Sequence, residues 1–453
     1  MSEINPPFFN RRPPASPPGP VCLSNGRVID PAGGRDEIAD VYLRDGKVEA
    51  VLPADATESG KGRCPTVIDC EGKIVAPGLV DCHVHFREPG GGQKESIATG
   101  TRAAAAGGFT SVLMMPNTSP PADGPNTIAW MRQRAEEKAV VNVYTSGCIS
   151  AGMEGEVLAP IGSLRKSGVV AITDDGLCVQ NNELMRRACE YATMFDLPIL
   201  DHCQDAHLTT GGVMNEGYWS TVLGLPGWPT VAEEIIVARN ALLAETSGAS
   251  LHCQHLSSVG AVRIIREARA RGVDITGEVM PHHLALTDQA CDGYDTNAKM
   301  NPPLRTQREI DALLEGIADG TITILSSDHA PHADYEKEVE FRNAPFGIIG
   351  LETELAVFIK TLIEPKVIDW PKLIEMLTIA PAKLMRCRKG TLAEGAAADV
   401  TVIDPDLEWT VMSELFESKS RNCPFDGWEL KGRATHTIVG GEIVWTLDGG
   451  FGE

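Results

Sequence analysis

Five short stretches hold most of the residues able to bind a metal or move a proton. They are His83-Val84-His85, Asp174-Asp175, His202, His252-Cys253-Gln254-His255 and Asp328-His329. In an extended strand residues i and i+2 project to the same side, so His83 and His85 can offer two imidazoles to one ion. Zinc would sit about 2.0–2.1 Å from each. Asp174 and Asp175 project to opposite sides, so only one faces the ion, and its two oxygens can bridge two cations. Spacing does not choose between them. His252 and His255 need not share a face, and one of them can be a satisfied core histidine. His202, in Leu200-Asp201-His202-Cys203, reads by itself as packing. Asp328 precedes His329-Ala330-Pro331-His332, and a carboxylate there that is not consumed as a bridge can move a proton.

The stretches gain weight from the elements that must position them. From Pro77 to Met385 the chain alternates strand-like and helical patterns. Eight apolar segments centre on Leu79–His85, Thr110–Met115, Val140–Thr145, Val169–Thr173, Pro198–His202, Ser250–His255, Asp274–Met280 and Thr321–Ser326. Helical patterns lie between them, among them Asn182–Phe195 and Val259–Ala270, the latter after an N-capping Ser257-Ser258. Eight such units predict an α/β fold, a (β/α)8 TIM barrel. The five stretches fall at the C-terminal ends of strands one, four, five, six and eight, which converge on one face of a barrel.

Both chain ends read differently. Residues 21–76 and 386–453 are rich in short strands, with Ala398–Ile403 and Thr437–Val444 as examples. Asn25-Gly26 and Asp45-Gly46 are hairpin signals. The two ends are expected to meet in one small β-sandwich domain beside a barrel spanning 77–385. Residues 1–20, with Pro-Pro-Ala-Ser-Pro-Pro-Gly-Pro, are expected to form a flexible tail.

The chain has 453 residues, 43% of them hydrophobic, enough for a large core. Its net charge of -22 disfavours nucleic acid as a partner, and an anion site must carry its own cations. No apolar run reaches the roughly 18 residues of a membrane span, and no leader pattern opens the chain. Twelve cysteines without a CxxC pair suggest reduced, buried thiols and a cytoplasmic setting. Cys82, between His83 and the strand start, reads as strand packing.

Taken together, the chain resembles the amidohydrolase superfamily and, within it, the bacterial dihydroorotases. The matching stretches are 77–90 (Pro-Gly-Leu-Val-Asp-Cys-His-Val-His-Phe-Arg-Glu-Pro-Gly), Met115–Thr118, Thr173–Gly176, Asn301–Arg305, Ser327–His332 and Ala344–Thr353. The motifs holding Arg87 and Asn117 are specific to this branch, whereas His-x-His belongs to the whole superfamily.

The resemblance implies a site with two Zn2+ ions. His83 and His85 match ligands of one metal, Asp175 the bridging carboxylate, and His202 and His255 ligands of the second. Asp328 matches the catalytic acid/base and completes the metal-facing set. Arg87, Asn117 and Asn301 match groups that hold the substrate carboxylate and ring, and His332 a further substrate contact. The implied reaction is the reversible hydrolysis of L-dihydroorotate to N-carbamoyl-L-aspartate in pyrimidine (UMP) biosynthesis, using a metal-activated hydroxide. The resemblance admits a homo-oligomer and a complex with aspartate carbamoyltransferase.

Two features depart from the pattern. Gln204 stands where an acid is expected after His202, and the proline-rich start is extra. Hydantoinases, allantoinases and animal-type dihydroorotases resemble the chain too, but bridge their metals with a carboxylated lysine on strand four. The nearest lysine here is Lys166, ahead of that strand. A different class of alternative is a silent scaffold for aspartate carbamoyltransferase, which would have been free to lose the ligands that this chain retains.

Overall fold

The computed structural model describes residues 10–14, 16–54 and 64–451. Eight parallel strands pair in chain order: β1 (Leu79–Val84), β2 (Phe109–Met114), β3 (Asn142–Gly147), β4 (Ala171–Ile172), β5 (Ile199–Asp201), β6 (Leu251–Cys253), β7 (Ile275–Val279) and β8 (Ile324–Leu325). Just past the ends of β1 and β8, a parallel bridge joins Val84 to His329, and His85 N donates to His329 O at 2.9 Å. The sheet thereby closes into a barrel.

Parallel neighbours need crossover connections, and helices supply them. They are α1 (Ile97–Ala106), α2 (Pro125–Lys138), α3 (Ile161–Lys166), α4 (Asn182–Met194), α5 (Val231–Ser247), α6 (Val259–Ala270), α7 (Gln307–Ala318) and α8 (Trp370–Leu377). In α7 the apolar residues recur at helical spacing, and Ile310, Leu313 and Ile317 are buried against the barrel. α6 begins as its sequence predicts, with Ser258 Oγ accepting from Ala261 N at 3.2 Å. Strands buried on both faces read as continuous apolar runs, and every residue of β1, β2 and β3 is buried.

The chain ends meet as expected. Strand Val400–Thr410 pairs antiparallel with Ile74–Pro77, which pairs parallel with Val21–Asp30. One nine-stranded sheet results, with 429–439, 442–446 and 450–451 on one flank and 35–44 and 47–53 on the other. It curls over its own core of Leu23, Val28, Val41, Val400, Val402 and Ile438. Thr401 Oγ1 donates to Gly108 O, and Asn142 Nδ2 donates to Asp399 Oδ2 at 2.9 Å, tying this sheet to the base of the barrel.

One turn expectation fails. Asp45-Gly46 does join two strands, but Asn25-Gly26 lies inside the continuous strand Val21–Asp30. There the pairing register slips between Leu23 and Gly26, and Asn25 takes a φ of 62°. The pair makes a β-bulge, because left-handed Asn conformations serve bulges as well as turns. A Cβ on Gly26 would lie 2.5 Å from Val75 Cγ2, so a neighbouring strand fills the space a side chain would need.

Of the proline-rich start, residues 1–9 and 15 lie outside the described residues. Asn10 exchanges backbone hydrogen bonds with Val143, at 3.0 Å each way, and Arg12 N donates to Ala139 O at 2.9 Å. Among the described residues no helix is long and apolar enough to cross a membrane.

Candidate metal centre and its cavity

The strand ends bring the five stretches to one face. His83 and His85 project from the end of β1, as the i, i+2 rule requires. Asp175 follows β4, His202 follows β5, His255 follows β6 and Asp328 follows β8. His83 Nε2 lies 3.4 Å from Asp175 Oδ1 and 3.5 Å from Asp328 Oδ1. His85 Nε2 lies 3.2 Å from Asp175 Oδ2 and 3.0 Å from Asp328 Oδ1. The same Asp175 Oδ1 is also 3.5 Å from His202 Nδ1 and 3.6 Å from His255 Nε2.

These atoms form overlapping groups of metal-ligating type, and Asp175 belongs to one with His83 and His85 and to another with His202 and His255. Four ligands set tetrahedrally at about 2.1 Å from an ion stand about 3.4 Å apart. That is the spacing seen here. His83 Nε2 and Asp175 Oδ1 are buried without a hydrogen-bond partner among the described residues. Orphaned buried polar atoms are costly, and a cation between them removes the cost. The donor set therefore fits a divalent metal.

Burial alone would raise the Asp175 carboxyl, but the surrounding imidazoles, His83 foremost, hold it well below its usual range. Asp328 is lowered too: its burial is outweighed by His83 and then His85. Both carboxyls are thus held as anions, as ligands must be.

The structure separates the pairs that spacing left open. Asp174 turns away from the cluster, and its Oδ1 accepts from Ile149 N at 2.7 Å while Ser150 binds its other oxygen. It fastens the loop after β3. His252 also points elsewhere, with Nδ1 2.8 Å from Thr276 Oγ1. Lys166 ends α3, exposed, ahead of the N-terminal end of β4.

Three of these positions bend the backbone. Arg87, His255 and Asp328 have φ of 59°, 35° and 46°, in the left-handed region. Each such residue costs on the order of 1–3 kcal/mol and persists where the surroundings impose it, commonly at functional sites. Here the bend turns each side chain off its strand end towards the cavity.

That cavity has a volume of about 300 Å3, and its lining includes Arg87, Asn117, Asn301, Asp175 and Asp328. Asn117 Oδ1 takes the Nδ1 hydrogen of His85 at 2.9 Å, which leaves Nε2 facing the cluster. Arg87 is half-buried, donates to Pro331 O at 3.2 Å, and forms no ion pair among the described residues. Its neighbour Glu88 faces Arg134 instead. Asn301 Oδ1 is buried without a hydrogen-bond partner among the described residues. His332 stands one layer back, 2.9 Å from Phe346 O and 3.5 Å from the Arg87 guanidinium. A larger adjoining cavity of about 540 Å3, lined by Glu154, Glu156 and Gln180, holds no imidazole.

Sequence reasoning missed two supporting residues. Gln204 Oε1 accepts from His202 Nε2 at 2.8 Å and from Asn301 Nδ2 at 3.2 Å, so the departure from an acid keeps an acceptor in place. Glu278, in β7, lies 2.7 Å from His83 Nδ1. A lone acid in the apolar run Ile275–Val279 was the available signal.

Known proteins agree with this geometry. A family model described as "Dihydro-orotase-like" matches residues 72–260, and one described as "Amidohydrolase family" matches 230–445. A dihydroorotase from Citrifermentans bemidjiense is 50% identical over 425 residues, covering 94% of this chain and 99% of the relative. The chain belongs to the dihydroorotase family. A second dihydroorotase, from Geobacter sp. strain M21, is 50% identical with the same coverage. The L-hydantoinase of Arthrobacter aurescens superposes with a TM-score of 0.84 at 24% identity, covering 96% of each chain, which bears on the fold alone. As a dihydroorotase-family member with this donor set, the chain is a metal-dependent cyclic amide hydrolase.

Proposed function

We propose that the chain catalyses the reversible hydrolysis of L-dihydroorotate to N-carbamoyl-L-aspartate, a step of de novo pyrimidine biosynthesis, at a centre of two zinc ions. The observation that carries this reading is Asp175 standing between two histidine pairs, with a half-buried Arg87 that has no ion-pair partner among the described residues in the same cavity.

His83, His85, Asp175 and Asp328 would hold one ion, and His202, His255 and the shared Asp175 the other. Bound there, zinc lowers the pKa of water and polarises a carbonyl. The remaining work falls to the chain itself. Arg87 receives the ring carboxylate on its planar fork, giving an acidic protein a local cation. Asn301 Oδ1, without a partner, accepts a ring N–H, and Asn117 holds His85 while bordering the same space. Asp328 accepts the proton of the attacking water and delivers it to the ring nitrogen as its bond to the carbonyl carbon breaks. His332 backs Arg87 from behind the cavity lining.

The barrel is taken as residues 77–385, and the small β domain as 21–76 with 386–453. A cytoplasmic location is supported by twelve free cysteines, most of them buried. Size-exclusion chromatography of the same preparation, alone and with aspartate carbamoyltransferase, tests a homo-oligomer and that complex.

The test is ultraviolet absorbance of zinc-loaded protein with L-dihydroorotate, hydantoin and allantoin, beside Asp328→Ala. Consumption of dihydroorotate by the parent alone is expected. Cleavage of another ring without dihydroorotate turnover would overturn the substrate, and no turnover of any ring would favour a scaffold.

A further inference from the structure

Glu278 has no exposed atom. Its Oε1 lies 2.7 Å from His83 Nδ1. Its Oε2 lies 3.4 Å from His252 Nε2, and the Cys82 thiol donates to it at 3.3 Å. No lysine or arginine pairs with it among the described residues. A buried carboxylate costs several kcal/mol unless donors surround it, so its place in β7 calls for a physical reason.

The neighbours supply that reason. An ionised carboxylate only accepts hydrogen bonds, so the nitrogen 2.7 Å from it carries the proton. His83 is thereby fixed with hydrogen on Nδ1 and a lone pair on Nε2. Gln254 Nε2 also lies near His83 Nδ1, at 3.2 Å, but the carboxylate contact is shorter and charge-assisted. His252 is held by the Thr276 hydroxyl, 2.8 Å from its Nδ1, and its Nε2 lies 3.4 Å from Glu278 without a hydrogen-bond partner among the described residues. The Cys82 thiol holds the same oxygen and is itself 3.1 Å from Ser326 Oγ. Side chains of β1 and β6 thus face one carboxylate on β7 beneath the cluster, with Ser326, just past β8, behind Cys82.

We infer that Glu278 is a positioning residue for the metal centre, fixing the tautomer and aim of His83 through the Nδ1–H···Oε1 bond. The inference rests on the ligand set proposed above. A carboxylate behind a ligating histidine raises that ligand's basicity, and losing it commonly weakens metal binding by about 10–100-fold. Cys82 and His252, which read alone as a possible third ligand cluster with Glu278, instead flank its second oxygen, Cys82 as a donor and His252 across 3.4 Å.

The test measures zinc release to a chromophoric chelator from the parent, Glu278→Gln, His83→Gln and the double variant. Glu278→Gln should weaken one of two zinc equivalents by about 10–100-fold and leave the other unchanged. In the His83→Gln background the same change should add less than about twofold, because the partner it acts through is gone. If His83→Gln weakens an equivalent while Glu278→Gln leaves both within about twofold of the parent, the inference fails and the ligand set stands. If His83→Gln leaves both equivalents unchanged, the ligand set itself fails. Nitrogen-15 NMR of the unsubstituted, zinc-loaded protein decides even if Glu278→Gln does not fold. A His83 Nδ1 proton shifted downfield of those on the other ligating histidines, as a bond to a carboxylate requires, supports the inference, and one at the same shift overturns it.

Discussion

His85 Nε2 and Asp328 Oδ1 stand 3.0 Å apart across the seam where the first and last barrel strands meet. Asp328 arrives there on a left-handed backbone with φ of 46°. The proposed acid/base is therefore held against the proposed metal ligands by the closure of the barrel. Replacing Asp328 with Asn should lower kcat by about 10²–10⁴-fold, the usual weight of a general acid/base. Thermal unfolding should show the fold retained. A kcat within about threefold of the parent would remove Asp328 from the reaction.

Arg87 is predicted to act on binding. Its side chain is half-buried, borders the cavity and forms no ion pair among the described residues, so a substrate carboxylate is its natural counter-ion. Arg87→Met should raise KM for dihydroorotate about tenfold or more, from a charged hydrogen bond worth about 1.5–3 kcal/mol. Arg87→Lys should recover only part of the loss, because an ammonium cannot offer a planar fork. Steady-state kinetics decide it, and an unchanged KM in Arg87→Met would count against the role.

Stripping the metal should leave His83 Nε2 and Asp175 Oδ1 unsatisfied. Chelation is expected to abolish activity and lower Tm, and added zinc to restore both. With free zinc at about 100 times Kd the stabilisation is about 2.7 kcal/mol. Elemental analysis should find two zinc per chain in the parent and one in His202→Ala. A single zinc in the parent would remove the bridging role given to Asp175.

A pH dependence follows from His332. Burial first, then Arg87, Lys337 and Lys94, push its imidazole down to about 2. An unfolded histidine titrates near 6.5, so between about 6.5 and 2 the unfolded chain binds the extra proton and stability falls with falling pH. His332→Gln removes this contribution. Its stability should fall less steeply than the parent's between pH 6.5 and 4.5, measured by urea unfolding. Parallel curves would show that His332 titrates normally in the fold.

The barrel core should respond independently of the site. Leu313 is buried on the inner face of α7. Leu313→Ala should cost about 2–5 kcal/mol of stability while leaving KM unchanged. A shifted KM would show that α7 reaches the cavity.

Much of the fold was legible because its signals are local. Apolar runs bounded by polar turns marked each of the eight barrel strands, and Ser258 marked the start of α6. Asn25-Gly26 misled because a left-handed Asn serves both a hairpin and a bulge, and the choice depends on the neighbouring strands. Gln204 appeared as a departure, yet its oxygen still receives the His202 hydrogen, a fact set by contacts two strands wide.

By itself the sequence determined the element order, the donor types and their places at strand ends, since strand periodicity and residue chemistry are properties of the chain alone. Only the tertiary structure decided which donors share a corner. Asp175 over Asp174 and His255 over His252 are choices of side-chain direction, made when strands far apart in sequence close into one barrel. Glu278 belongs to that second kind: a single acid in an apolar strand acquires meaning when β1 brings His83 within 2.7 Å of it.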